Sequence, residues 1–351
     1  VSDSILLDSR SVKYIVGELQ LYSLKDSSRD AVGDAFEIFI GPSLKGAQGQ
    51  FFTPRNVVNM VIRMIDPGID ERILDPACGS GGFLVESLRY VWNKLEEKAA
   101  DLGWPESEIE AEKQRIAIKN LRGIDKDSFL SKVAKAYLAI LGDGRGGIHC
   151  ENSLESFHNW SAKTFEDIQP ESFDVIVTNP PFGKKLSIDS TEILELYDLG
   201  HRWNSVPGGV FEKGALADKQ PPQLLFIERC FQMLRPGGRM GIVLLESIFG
   251  MPKYQYVVNY IRLQAKINAI VTLPEDLFQP HTHAKCCVLI CQKYKKNESY
   301  SSCDNYDIFM SDVKWCGHDS RGNITYSYTS TGEKVVLDEI PLVADRYLEM
   351  R

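Results

Sequence analysis

A doubly wound α/β fold with a mostly parallel, seven-stranded sheet is predicted by three features of the 351-residue sequence. Between residues 48 and 298, short β-branched runs alternate with amphipathic stretches of helical period. Seven of those runs have strand length, at 72–75, 121–125, 148–150, 173–178, 239–245, 267–273 and 286–292. The first passes straight into Asp75-Pro76-Ala77-Cys78-Gly79-Ser80-Gly81-Gly82-Phe83-Leu84, a turn of small residues that opens a helix. Such turns let backbone approach a ligand at the carboxyl end of a strand.

The intervening helices are predicted at 54–65, 82–99, 128–141 and 222–234, the last closed by Pro236-Gly237-Gly238. Residues 183–221 lack clear periodicity and carry Gly208-Gly209, so a long loop or lid is expected there. Residues 1–47 read as a short helical segment, with Val12, Ile15, Val16 and Leu19, then Val32, Phe36 and Phe39, at helical spacing. Residues 299–351 form a polar C-terminal extension with Gly317, Gly322 and Gly332, expected to drape over the central domain. The chain opens at Val1 without a methionine, and both flanking segments read as cut short.

Composition narrows the classes of function. At 43% hydrophobic the chain can fill one large core, and no apolar run reaches the ~18–20 residues of a membrane span. No positively charged start is followed by a short apolar stretch, so no secretory signal is expected. The eight cysteines are scattered, with Cys286 and Cys287 adjacent, which implies reduced thiols in a cytoplasmic protein. Cys150, Cys230 and Cys291 read as small buried apolar residues. His281, His283, Cys286, Cys287 and Cys291 invite a metal reading, but 286–292 reads as a buried strand and the spacing matches no zinc pattern; no metal is expected. A net charge of −8 argues against an autonomous, tight binder of nucleic acid, whose grip comes from Lys and Arg.

The glycine turn departs from both the dinucleotide fingerprint and the phosphate loop. Asp125, ending the second strand candidate, is placed either to bind ribose hydroxyls or, with Asp127, to cap the helix that follows. Asn152, after the third, is a candidate for an adenine edge or an ordinary turn residue. The fourth candidate, 173–178, runs into Asn179-Pro180-Pro181-Phe182. Two prolines fix the backbone and remove two N–H donors, which leaves the Asn179 side-chain oxygen and the Pro180 carbonyl as acceptors. A ring-conjugated amino group is a poor nucleophile because its lone pair is delocalised. Two acceptors gripping its hydrogens aim that lone pair at an electrophilic methyl without a strong base. Phe182 offers a face for an extruded base.

Taken together these residues resemble the adenine-N6 DNA methyltransferases, and specifically the modification (M) subunits of type I restriction–modification systems. Gly49 to Arg55 resembles that family's opening motif, Asp75 to Leu84 its cofactor motif and Asn179 to Phe182 its catalytic motif. Pro236 to Leu245 and Leu273 to Phe278 resemble its later segments, and Cys316 to Gly322 also looks family-like. The resemblance spans about 48–298 and implies a Rossmann-like class I methyltransferase that uses S-adenosyl-L-methionine. It implies cofactor contacts from Gln50, Phe51, Phe52, Thr53, Pro54 and Arg55, from Asp75, Ala77, Cys78, Gly79, Ser80, Gly81, Gly82 and Phe83, and from Asp125 and Asn152. It implies Asn179, Pro180, Pro181 and Phe182 as the catalytic residues, with Phe182 and Phe278 stacking on the base. Lys184 and Lys185, beside the catalytic loop, are the candidate phosphate contacts. The implied partners are duplex DNA, a specificity (S) subunit, a second M subunit and a restriction (R) subunit. The sequence departs from the family at Asn152, often Asp; at Leu245, commonly Pro; and at Phe182, often Tyr. RNA-base or protein-amide methylation through the same tetrapeptide, and a scaffold without turnover, are the alternatives.

Overall fold

The computed structural model describes residues 8–20, 53–142, 147–183, 186–279, 282–302, 306–329 and 331–351. Helix α1 (Ser9–Leu19) is capped by the Asp8 side chain, which accepts from the Arg10 and Ser11 amides. Val32, Phe36 and Phe39, and with them most of the expected N-terminal helical segment, lie outside the described residues.

The α/β architecture expected from the sequence is present, built as follows. With single turns left unnumbered, the chain continues through α2 (Arg55–Ile65), β1 (Ile73–Asp75), α3 (Gly82–Leu102), α4 (Glu106–Asn120), β2 (Leu121–Asp125), α5 (Ser128–Leu141), β3 (Ile148–Cys150), α6 (Ala162–Asp167) and β4 (Phe173–Thr178). There follow β5 (His201–Val206), β6 (Val210–Leu216), α7 (Pro222–Met233), β7 (Leu234–Leu245), α8 (Gln255–Gln264), β8 (Ala265–Thr272) and β9 (Cys286–Lys293). The chain closes with β10 (Phe309–Asp312), β11 (Tyr326–Tyr328), β12 (Lys334–Val336) and α9 (Ile340–Glu349).

Eight strands form the central sheet in the order β10-β8-β9-β7-β4-β1-β2-β3. All its pairings are parallel except those of β9, which runs antiparallel to both neighbours. The eighth strand, one more than the sequence reading expected, is β10, contributed by the polar extension and parallel to β8.

Side chains alternate across the pleat. Ile73, Val175, Val177 and Val243 face one core with α2, α3, α4, α5 and α9. Leu74, Ile176, Ile242 and Leu244 face the other with α7 and α8. The adjacent cysteines divide in the same way, Cys286 into the first core and Cys287 and Cys291 into the second. Burial pushes the Cys286 thiol up to about 12 and raises Cys287 and Cys291 as well. Among the described residues no three acidic, His or Cys side chains group as metal ligands, and His281 lies outside them. No described helix is long and apolar enough to cross a membrane.

Residues 186–221 correct one expectation. In place of a structureless loop they form an antiparallel β5–β6 hairpin, tied at its base by the Ile188–Gln220 bridge. Gly208 and Gly209, with φ of 92° and 75°, make the turn. The extension does more than drape. Beyond β10, its helix α9 buries Ile340, Val343, Ala344 and Tyr347 in the same core as α2, and Asp345 pairs with Arg63 of α2.

Candidate active site

Strand order reverses between β1 and β4, which opens a crevice at their carboxyl ends. On the β1 side the chain turns over Pro76–Gly81, held by the Cys78 amide on the Ile124 carbonyl at 3.0 Å. The Gly79 amide donates to Asp125 Oδ2 at 2.9 Å. Gly81 has φ of 91°, and a Cβ there would sit 3.3 Å from that of Ala134, so the turn lies directly on α5.

Asp75 accepts the Ala77 amide at 3.0 Å. It is 1% exposed, and burial pushes its carboxyl up to about 7. Asp125 is also raised by burial, and its second oxygen accepts the Asp127 amide at 2.8 Å. Asp127 is the residue that caps α5, accepting from Phe129 and Leu130, so Asp125 is left to brace the glycine turn.

A cavity of about 240 Å³ occupies the crevice, many times the space one water requires. Ala77, Gly79, Asp125 and Asn152 line one side, and Asn179 to Phe182 the other. Asn152 is a turn residue as well: its Oδ1 accepts the Leu154 amide at 3.1 Å and its Nδ2 donates to Glu155.

The rest of the wall was missed in the sequence reading. Lys126, Ser153 and Leu154 come from the β2 and β3 ends, Leu130 from the first turn of α5, Leu186 to Ile188 from the hairpin base, and Pro222 and Phe226 from α7. One local signal pointed there: Glu228 and Arg229, inside the apolar run of α7, are 5% and 1% exposed. Glu228 accepts the Asp198 and Leu199 amides, and Arg229 donates to Tyr197 and to the Glu155 carbonyl. The pair holds the hairpin segment and the β3 loop against α7.

Asn179 is the polar centre. Its Nδ2 donates to Thr53 Oγ1 at 2.9 Å, and its Oδ1 is buried with no hydrogen-bond partner. A buried unpaired acceptor costs about 1–3 kcal/mol, a penalty that a ligand donor would remove. Phe182 lines the cavity, whereas Phe278 packs edge-to-face behind it with ring centroids 5.6 Å apart.

The remaining candidates divide by position. Thr53 reaches Asn179, Pro54 precedes α2, and Arg55 pairs with Glu86 at 3.3 Å. Ser80 and Gly82 flank the start of α3, while the Cys78 and Phe83 side chains turn into the core. Gln50, Phe51, Phe52, Lys184 and Lys185 lie outside the described residues. The tail segment at Cys316 packs beside α2, where the Asn56 Nδ2 reaches the Cys316 carbonyl at 3.4 Å and Asp338 at 2.8 Å.

The sequence profile described as N-6 DNA methylase matches residues 27–323. The methylase subunit of the type I restriction enzyme EcoEI of Escherichia coli is 24% identical, over 94% of this chain and 63% of its own length. The MjaVII methylase subunit of Methanocaldococcus jannaschii is 28% identical, over 81% of this chain and 44% of its own. The chain thus spans less than two thirds of either curated relative. Among solved structures, a type I restriction–modification methyltransferase subunit from Streptococcus thermophilus superposes with a TM-score of 0.65 at 18% identity, covering 97% of this chain and 62% of that one. The arrangement of strands and helices is shared with that protein.

Proposed function

The chain belongs to the N-6 DNA methylase family, and from that premise we propose that it methylates N6 of an adenine flipped out of duplex DNA, using S-adenosyl-L-methionine. The single observation that carries the chemistry is the buried, unpartnered Asn179 Oδ1 at the wall of the cavity.

The cavity fits the cofactor by its donor and acceptor set. The Asp125 carboxylate has lone pairs left for ribose hydroxyls after its two backbone bonds, Asn152 offers an amide edge, and Leu130 and Phe226 supply apolar walls. Bound there, the cofactor supplies a methyl group activated by a sulfonium. Asn179 Oδ1 and the Pro180 carbonyl accept the two N6 hydrogens and orient the nitrogen lone pair. Pro181 keeps the backbone rigid and offers no competing donor. Transfer would break the sulfonium S–CH3 bond with its electron pair staying on sulfur as a thioether, and N6 would lose one proton to solvent, so Asn179 acts by orientation and not as a base. In this reading Phe182 is the face against the base and Phe278 supports it from behind.

As a modification subunit the chain would work beside a specificity subunit, a second copy of itself and a restriction subunit, in the cytoplasm. Its net charge of −8 supports leaving sequence recognition to a partner. Residues 48–298 would be the catalytic domain, with 299–351 as an extension.

Asn179→Ala tests the mechanism in the assembled complex. Methyl transfer to DNA should be abolished, with cofactor binding by calorimetry largely intact; a variant that methylates DNA normally refutes it. Offering labelled cofactor with DNA, RNA and protein in parallel distinguishes the substrate class.

A further inference from the structure

Thr53 and Asn179 are 126 positions apart in the chain, yet their side chains bond directly. A carboxamide has an acceptor edge and a donor edge of nearly equal shape, and half a turn exchanges them. Acceptance of an amino hydrogen requires the oxygen edge at the cavity; the flipped amide would set N–H against N–H. The Asn179 Nδ2 donates to the Thr53 hydroxyl, and Asn179 Oδ1 is left buried without a partner.

Thr53 is itself held in place. It immediately precedes the first turn of α2, where the Val57 and Val58 amides donate to the Pro54 carbonyl at 3.0 and 3.1 Å. One residue into the helix, Asn56 donates to Asp338 and to the Cys316 carbonyl from the far end of the chain. Val57, Val58 and Val61 of the same helix are buried.

We propose that Thr53 is a positioning residue that anchors the Asn179 side chain through its amide nitrogen, kept in register by the Asp338–Asn56 clamp. The proposal rests on the methyl-transfer reading above.

The test compares wild type, Thr53→Val and Thr53→Ser in the assembled complex with duplex DNA and labelled S-adenosyl-L-methionine. Valine keeps the branched shape and loses the hydroxyl, so kcat should fall about tenfold, the rate equivalent of ~1.4 kcal/mol or one hydrogen bond. Cofactor Kd and DNA KM should stay within about twofold, and serine should restore most of the rate. Asp338→Ala should lower kcat in the same direction, with less than additive effect on top of Thr53→Val. An unchanged kcat in Thr53→Val, or a weakened cofactor Kd at full kcat, overturns the proposal; strict additivity overturns the clamp. An inactive wild type overturns the methyl-transfer reading instead. Anchoring is then read from the Asn179 side-chain amide signals in nitrogen-15 spectra, assigned with Asn179→Ala. Those signals should shift in Thr53→Val and return in Thr53→Ser, and identical signals in all three sink the inference.

Discussion

Replacing Tyr197 with Phe removes one oxygen from a fully enclosed network and leaves everything else in place. The Tyr197 hydroxyl donates to the Leu154 carbonyl at 2.8 Å and accepts from Arg229 Nε at 2.8 Å. Both side chains are 1% exposed, so water does not replace what is lost. The Arg229 guanidinium, which burial depresses below its usual value, keeps its bond to the Glu155 carbonyl and its place 4.3 Å over the Phe157 ring. Phe fills the same volume, so no cavity contributes. The cost is therefore that of two orphaned groups, one of them on a cation. At about 1–3 kcal/mol each, set against a modest gain from a more apolar ring, the expected loss is ~3 kcal/mol. Urea unfolding measures it as a lower midpoint at unchanged slope. A loss under about 0.5 kcal/mol, the size of an ordinary surface change, would refute the network as the element holding the hairpin segment on α7.

Two further perturbations test other parts of the site. Asp75 titrates near about 7 when folded but near ~3.9 when unfolded, so the folded chain holds its proton more tightly. Its contribution to stability is complete below pH ~4 and is lost as pH rises to ~7. Asp75→Asn should flatten that part of the stability–pH curve, and equal slopes in the two proteins across this window would refute the burial argument. At Gly200 a Cβ would lie 2.1 Å from the Leu194 carbonyl oxygen. Gly200→Ala should open the hairpin segment at a cost of ~2–3 kcal/mol, seen as faster amide exchange in 188–220 while the central sheet stays protected; unaltered exchange there counts against that packing.

What was legible in the sequence followed burial. Strands β4, β7 and β9 are mostly buried and read as apolar runs. All seven expected strands were recovered to within two residues at each end except β7, which starts five residues earlier. Strand β3 lies at the sheet edge, and its Cys150 is exposed, against the buried reading of that thiol. Strand β10 is an edge strand whose Phe309-Met310-Ser311-Asp312 alternates between half-buried and exposed, a pattern too short and polar to separate from loop. The β5–β6 hairpin failed for the same reason: its strands face solvent, and the Gly208-Gly209 turn signal stood without flanking apolar alternation. Helix α4 buries only Ile116, Ala117 and Asn120 and offered no stripe. At the site, residues on strand ends were readable because the fold places strand ends together. The Thr53–Asn179 bond was not, since no local spacing encodes a contact between distant segments. Nor was the wall at Leu186 to Ile188, which depends on how the hairpin folds back.

The helix that starts next to Thr53 is covered by one that ends at Glu349, and Asn56 meets Asp338 across 282 positions of chain. At equilibrium so long a closure costs little more than a short one, since each doubling adds only about 0.6 kcal/mol. During synthesis it matters more. No nascent chain shorter than nearly the whole described sequence contains both halves of this layer, so the glycine turn and the β4 tetrapeptide can be folded while Thr53 still lacks its support. The anchoring of the Asn179 side chain is then completed later than the turn and the tetrapeptide it serves.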